Sequence, residues 1–225
     1  MKNYKLIVFD FDGTLVDTGE GILKSLVYAL EKHGVPVPDE AFLRRFIGPP
    51  IYDSFINDYG ATEENVFDFI RSYRERYTAK GIYESKVYEG IPSLLSALKK
   101  HGYMLAVASS KPEKLVYDVM DFVGLTEFFD FIYGTSLDET KKKTKPELIR
   151  CCADAAGVTR GEEILMVGDR FYDIDGAAAV GADSAGVLYG YGSEEEFRLH
   201  HADYIIESAG QLETLLTSAD RTENQ

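Results

Sequence analysis

The stretch LIVFDFDGTLVD, residues 6–17, runs four apolar residues directly into an acidic turn. A continuous apolar run of this kind is typical of a strand that is buried on both faces of a parallel sheet. Asp10 stands at the end of the run, and open α/β sheets bind ligands at the carboxyl ends of their strands. The carboxylates of Asp10 and Asp12 repel each other unless a cation or a shared proton lies between them. The stretch therefore predicts a buried strand with a functional site at its end, where a cation or a shared proton offsets the two carboxylates.

Further apolar runs follow along the chain, and helical patterns separate the later ones. They cover residues 103–109, 128–134, 163–169 and 184–190, with a weaker run at 203–207. This alternation predicts an α/β fold whose core is a Rossmann-like parallel sheet with helices on both faces.

One segment breaks the alternation. Residues 17 to about 80 show helical patterning only, and they are too many for a simple crossover between two strands. We interpret residues 17–83 as an inserted α-helical cap subdomain, and residues 1–16 and 84–225 as the α/β core domain. Asp17 and Thr18 suit the start of the first helix of the insert.

Composition limits the partners of the chain. Its 225 residues carry a formal net charge of −14, so the overall field repels nucleic acid and anionic membranes. No apolar run is long enough for a membrane helix, and the start MKNYKLIVFD becomes charged too early for a secretory signal. The only cysteines, Cys151 and Cys152, are adjacent and poorly placed for a disulfide. We expect a cytoplasmic protein, as a monomer or a homodimer, that binds a small substrate.

A second acidic strand end points to a metal. Gly168-Asp169 closes the run at 163–169, and Asp173 follows. Neighbouring strand ends would bring Asp10, Asp12 and Asp169 together. Such a carboxylate cluster suits a hard cation, and Mg²⁺ binds few protein ligands while it coordinates substrate phosphate.

Two more strand ends provide groups that suit an anion. Ser109 and Ser110 follow the run at 103–109, where hydroxyls and free helix-start amides face the same edge. Lys145 precedes Pro146, which fixes the start of a helix, so we expect Lys145 to be the internal cation. The lysines at 141–143 are interpreted as a solvated surface.

Together these motifs resemble those of the haloacid dehalogenase superfamily. DFDGT at 10–14, Ser109, Lys145-Pro146 and Gly168-Asp169 with Asp173 occur in the order and spacing of its four motifs. The helical insert after the first motif is similar to the C1-type cap of that family. The stretches DTGEGILKSLVYAL, FIGPPIYDSF and VGDRFYDIDGA look most like its phosphoglycolate phosphatase-like branch.

The resemblance implies a Mg²⁺-dependent phosphatase that acts on a small phosphate monoester. Asp10 would be the nucleophile that forms an aspartyl-phosphate, and Asp12 the general acid and base. Ser109 and Lys145 would stabilise the transferring phosphoryl group. The metal ligands would be the Asp10 carboxylate, the Asp12 main-chain carbonyl and Asp169.

Further residues are implied around this centre. Asp173 would orient Lys145 or a metal-bound water. Gly13 would allow the turn that brings Asp12 over the site. Contacts to the substrate are expected from Gly13, Thr14 and Ser110 in the core, and from Arg45 and Gly48 in the cap.

Two other functions stay open. A sugar phosphomutase of the same superfamily would share the cap type and both aspartates, although the cap lacks an evident His-Lys proton relay and Thr14 resembles the phosphatase version of the motif. The second open function is that of a catalytically silent regulatory or binding protein with this fold. The substrate also stays open among phosphoglycolate, a nucleoside monophosphate, pyrophosphate and a sugar phosphate.

Overall fold

The computed structural model describes residues 2–138 and 143–218. Its strands are β1 Leu6–Phe9, β2 Val16–Asp17, β3 Lys86–Val87, β4 Met104–Pro112, β5 Phe131–Thr135, β6 Ile164–Gly168, β7 Asp183–Val187 and β8 Tyr204–Ile206. Its α-helices are α1 Gly19–Lys32, α2 Glu40–Leu43, α3 Ile51–Asp58, α4 Val66–Ala79, α5 Ile91–Lys100, α6 Glu113–Val123, α7 Lys145–Ala156, α8 Phe171–Ala178, α9 Glu194–Leu199 and α10 Ala209–Thr217.

The main sheet has six parallel strands in the order β5-β4-β1-β6-β7-β8. The stretch that opens the sequence supplies β1, which pairs with β4 on one side and β6 on the other. Ile7 and Phe9 pack into the hydrophobic cluster on one face, and Leu6 and Val8 into the cluster on the other. Burial on both faces explains why this strand is apolar throughout. The predicted α/β class and parallel sheet are confirmed.

Between β2 and β3 the described chain is helical, with α1 to α4 in succession. The two points where the chain leaves and re-enters the core pair with each other, because Val16 and Asp17 lie antiparallel to Val87 and Lys86. The sequence did not predict these two strands, since two residues are too few for an alternating pattern. The division at 17 and 83 into cap and core stays a prediction.

Local signals position two of the helices beside the sheet edge. Asp17 Oδ1 accepts a hydrogen bond from the Gly19 amide at the start of α1, as predicted. Thr144 caps α7 together with Glu147, so Lys145 is the first residue of that helix. None of the described helices combines the length and the apolar character that crossing a membrane requires.

Candidate active site

Asp10 and Lys145 meet at the carboxyl edge of the sheet. Lys145 Nζ lies 2.9 Å from Asp10 Oδ1 and 2.8 Å from Asp173 Oδ1, and it donates to the Ala108 carbonyl at 2.9 Å. The lysine is only 7% exposed, so its ammonium is held by protein groups instead of water. Burial disfavours the ammonium, but the charges of Asp10 and Asp173 outweigh this effect and raise the pKa of Lys145. The predicted internal cation is therefore in direct contact with the first aspartate of the motif.

Asp169 lies beside this pair and is fully buried. Its Oδ1 accepts from the Thr14 hydroxyl at 3.1 Å, and its Oδ2 accepts from the Tyr191 amide at 2.9 Å. Burial, and then the charges of Asp10 and Asp173, raise the pKa of Asp169 well above its usual range. Burial also raises the pKa of Asp10, to about 7, against the opposing effect of Lys145. Both shifts express the cost of placing negative charges together in a buried site.

These carboxylates fit a divalent cation. Asp10, Asp169 and Asp173 each offer an oxygen, and the three oxygens lie within 4.8 Å of one another. Hard oxygen donors with an excess of negative charge are the ligand set that Mg²⁺ takes in proteins. The sequence prediction named the Asp12 carbonyl as the third ligand and Asp173 as an outer group, and this assignment stays a prediction.

Glycines give the aspartates room. A Cβ on Gly13, whose φ is +85°, would stand 2.2 Å from Asp169 Oδ2. A Cβ on Gly168 would stand 2.1 Å from the Asp173 carboxyl carbon. Real Cβ atoms do not approach other heavy atoms this closely. The backbone of the first motif can therefore pass over Asp169 only because residue 13 has no side chain.

Asp12 has a partner that sequence reasoning missed. Lys111 Nζ donates to both carboxylate oxygens of Asp12, at 2.8 and 3.1 Å, and the Thr18 hydroxyl donates to Oδ1 at 2.5 Å. The lysine side chain is 7% exposed. Its position two residues after Ser109, between that serine and the proline that precedes a helix, was the available signal.

The two predicted serines lie at an irregular end of β4, where the register with β5 shifts between Ala108 and Pro112. The Ser109 hydroxyl is buried and accepts the Lys111 amide at 3.2 Å, and the Ser110 carbonyl accepts the Thr135 hydroxyl at 3.1 Å. Both serines line a cavity that Asp10 and Asp12 also line.

This cavity lies between the sheet edge and the helical insert, and residues of both line it. Much of its wall is apolar or aromatic, from Ile22, Phe46, Pro49, Pro50, Tyr73 and Leu115. Gly48, which the sequence predicts to contact substrate, lines the cavity. Lys143 also lines it and is exposed, which agrees with its assignment to the solvated surface. Lys141 and Lys142 lie outside the described residues.

Arg45 is not among the cavity residues. Its guanidinium lies 3.1 Å from Asp58 Oδ1 and stacks over the Phe42 ring, and its side chain is 58% exposed. The structure thus brings Gly13, Thr14, Ser110 and Gly48 to the site region but leaves Arg45 outside it.

Arg170, directly after Asp169, was also missed. Its Nη1 donates to the Ile47 carbonyl in the insert at 3.0 Å, and its Nε lies 3.1 Å from Glu196 Oε1 in α9. Because Gly48 follows Ile47 and lines the cavity, Arg170 connects the segment after Asp169 to the part of the helical insert that lines the cavity.

Comparisons with known proteins identify the family of the chain. The family model for haloacid dehalogenase-like hydrolases matches residues 7–187. A 5′-nucleotidase from Pseudomonas aeruginosa is 41% identical over 215 residues, 96% of each chain. The tyrosine-protein kinase PtkA from Mycobacterium tuberculosis is 36% identical over 188 residues, 84% of this chain and 63% of PtkA.

Solved protein structures are also similar to this chain. The crystal structure of a predicted phosphatase from Clostridium acetobutylicum superimposes with a TM-score of 0.89 at 40% identity, over 96% of this chain and 99% of that one. With the model match over most of the chain, these relatives show that the protein belongs to the haloacid dehalogenase-like hydrolases and groups with their phosphatases.

Proposed function

We propose that this protein is a Mg²⁺-dependent phosphatase that hydrolyses a small phosphate monoester through an aspartyl-phosphate on Asp10. The observation that carries the proposal is the contact of Lys145 Nζ with Asp10 Oδ1, at 2.9 Å, beside the three-carboxylate cluster. A nucleophile, a fixed cation and metal ligands at one sheet edge are what phosphoryl transfer requires, because its catalysis depends on positioning and charge.

The chemistry would run in two half-reactions. In the first, Asp10 attacks phosphorus and the leaving oxygen takes a proton from Asp12. In the second, Asp12 takes a proton from the water that attacks the aspartyl-phosphate. Lys145 and the Ser109 hydroxyl would bind the phosphoryl oxygens throughout, and Asp173 would hold Lys145 in place.

The metal would be held by Asp10, Asp169 and either Asp173 or the Asp12 carbonyl. When bound, Mg²⁺ would supply positive charge to the phosphoryl oxygens and reduce their repulsion from Asp10. The cap would exclude water from the cavity during transfer and open to release products.

A nucleoside 5′-monophosphate is the first substrate class to test. The apolar and aromatic wall formed by Phe46, Tyr73 and Leu115 suits a leaving group with a planar body better than it suits a carboxylate. The name of the Pseudomonas relative supports the same choice. Phosphoglycolate, pyrophosphate and sugar phosphates belong in the same panel.

The test is release of inorganic phosphate from this panel, ranked by kcat/KM, with Mg²⁺ and with chelator. We expect Mg²⁺-dependent turnover that Asp10→Asn reduces by at least about 1,000-fold. Lys114→Ala, an exposed lysine paired with Asp118, is the matched control and should keep full activity. A phosphomutase would instead isomerise a hexose phosphate with little phosphate release. A protein kinase would transfer phosphate from ATP to a tyrosine peptide. If the protein hydrolysed none of the phosphate esters in the panel, the result would favour a catalytically silent binding protein.

A further inference from the structure

Lys111 is a buried cation that the four motifs leave without a role. It lies on the irregular end of β4, and its Nζ contacts both carboxylate oxygens of Asp12. On its other side the ammonium lies 4.6 Å from the centre of the Tyr77 ring, which α4 of the insert contributes. The ammonium thus lies between a carboxylate of the core and an aromatic face of the insert, and Lys111 itself lines the cavity.

The site has two lysines whose side chains are buried, and each of them contacts a different aspartate of the first motif. Lys145 contacts Asp10, where the phosphoryl group would be received, and Lys111 contacts Asp12, where the leaving group would depart. Asp12 already accepts a hydrogen bond from Thr18, so the lysine is not needed merely to give that carboxylate a partner. Burial of an ammonium is costly unless the surroundings compensate it, and the compensating partner here is Asp12.

We propose that Lys111 is a positioning residue for leaving-group departure, which acts by holding Asp12 and stabilising the charge it acquires. This inference rests on the proposed phosphatase activity. As the Asp10 oxygen bonds to phosphorus, the bond from phosphorus to the leaving oxygen breaks, and its electron pair stays on that oxygen. The leaving oxygen takes the proton of the Asp12 carboxyl group. Negative charge therefore ends on Asp12, 2.8 Å from the Lys111 ammonium.

The contact with Tyr77 adds a link to the cap. Tyr77 is fully buried and lines the cavity, so the cap helix that covers the site also covers Lys111. Lys111 therefore lies at the boundary between the sheet edge and the helical insert.

The test compares leaving groups. A leaving alkoxide needs a proton from Asp12, whereas p-nitrophenolate leaves without one. We expect Lys111→Met to lower kcat/KM about 100-fold for the best alkyl phosphate of the panel and less than about 5-fold for p-nitrophenyl phosphate. Lys111→Arg keeps the charge and should restore most of the alkyl phosphate activity. Lys111→Gln provides the same comparison if the Met variant does not fold, and Lys114→Met is the control.

A second measurement decides whether Lys111 acts through Asp12. In an Asp12→Asn background, Lys111→Met should cause no further loss of kcat/KM for the alkyl phosphate. The carboxyl group through which Lys111 acts is already absent from that variant. An equal loss for both leaving groups, an undiminished loss in the Asp12→Asn background, or no loss at all would overturn the proposal. The phosphatase activity itself is tested by p-nitrophenyl phosphate turnover of the unchanged protein, which Asp10→Asn should remove. A failure of the phosphatase proposal is therefore distinguishable from a failure of the role proposed for Lys111.

Discussion

Arg170 donates from Nη1 to the carbonyl oxygen of Ile47, at 3.0 Å, and so connects the segment after Asp169 to the helical insert. Its Nε is held by Glu196, which also accepts the Phe171 amide at 2.7 Å. A hydrogen bond from a charged donor contributes about 1.5–3 kcal/mol. We expect Arg170→Ala to release the cap wall and raise KM about 10-fold, with a smaller change in kcat, because each 1.4 kcal/mol is about tenfold in affinity. Michaelis constants measured on the best substrate check this.

Arg198→Ala is the matched control for that variant. Arg198 pairs with Glu194 in α9 but is 71% exposed and makes no contact with the cap among the hydrogen bonds and ion pairs of the described residues. It should leave KM unchanged. If Arg170→Ala lowered kcat with KM constant, the arginine would serve the metal segment instead of the cap wall.

Gly13→Ala should disrupt the site more than the backbone strain alone predicts. Gly34 has a similar positive φ, +70°, but no atom within 4 Å of an added Cβ, so Gly34→Ala reports the strain of the left-handed conformation by itself. At Gly13 the Cβ would overlap Asp169 Oδ2, and overpacking of this kind costs about 1–3 kcal/mol beyond the strain. Urea unfolding of both variants measures the difference. Equal losses of unfolding free energy would show that Asp169 moves aside without cost.

Arg45→Ala should leave substrate affinity almost unchanged, contrary to the expectation from sequence. The side chain is paired with Asp58 and lies outside the cavity, and exposed ion pairs contribute only about 0–1 kcal/mol. Lys143→Ala is the comparison, because Lys143 lines the cavity and an anionic substrate would feel its charge. We expect KM to rise about 3- to 10-fold for Lys143→Ala and less than about 2-fold for Arg45→Ala. A larger increase in KM for Arg45→Ala than for Lys143→Ala would indicate that Arg45 contacts the substrate.

The sequence was sufficient to predict the positions of site residues that lie at the ends of buried strands. Asp10, Ser109 and Asp169 each end or follow a buried strand, and parallel strands bring their carboxyl ends to one edge, so strand signals were sufficient to gather them. Lys111 and Arg170 were missed because their partners, Asp12 and Ile47, lie 99 and 123 residues away in the chain. The direction of the Arg45 side chain could not be predicted for the same reason. A local pattern shows that a residue is charged, but the packing of the helices in the insert decides where its side chain lies, and here it pairs with Asp58 outside the cavity.

Mg²⁺ should stabilise the protein more at neutral pH than in acid. Burial raises the pKa of Asp169 well above its usual range and that of Asp10 to about 7. A carboxyl group whose pKa is raised by folding contributes stability that is fully present below its unfolded pKa, near 3.8, and is lost as pH rises through its folded value. Without metal, the unfolding free energy should therefore fall between about pH 4 and 7.

Mg²⁺ should reverse this loss of unfolding free energy, because it binds the carboxylates once they have lost their protons. At saturating Mg²⁺ we expect the thermal midpoint to rise by about 5–10 °C at pH 7.5, since binding at 100 times Kd contributes about 2.7 kcal/mol. At pH 5 the rise should be less than half as large, because Mg²⁺ must then displace protons. Asp169→Asn, which keeps the shape of the side chain but removes its charge, should weaken the neutral-pH stabilisation, whereas Asp118→Asn on the surface should not. A midpoint shift that was equal at both pH values would mean that these buried carboxylates are not the groups that bind the metal.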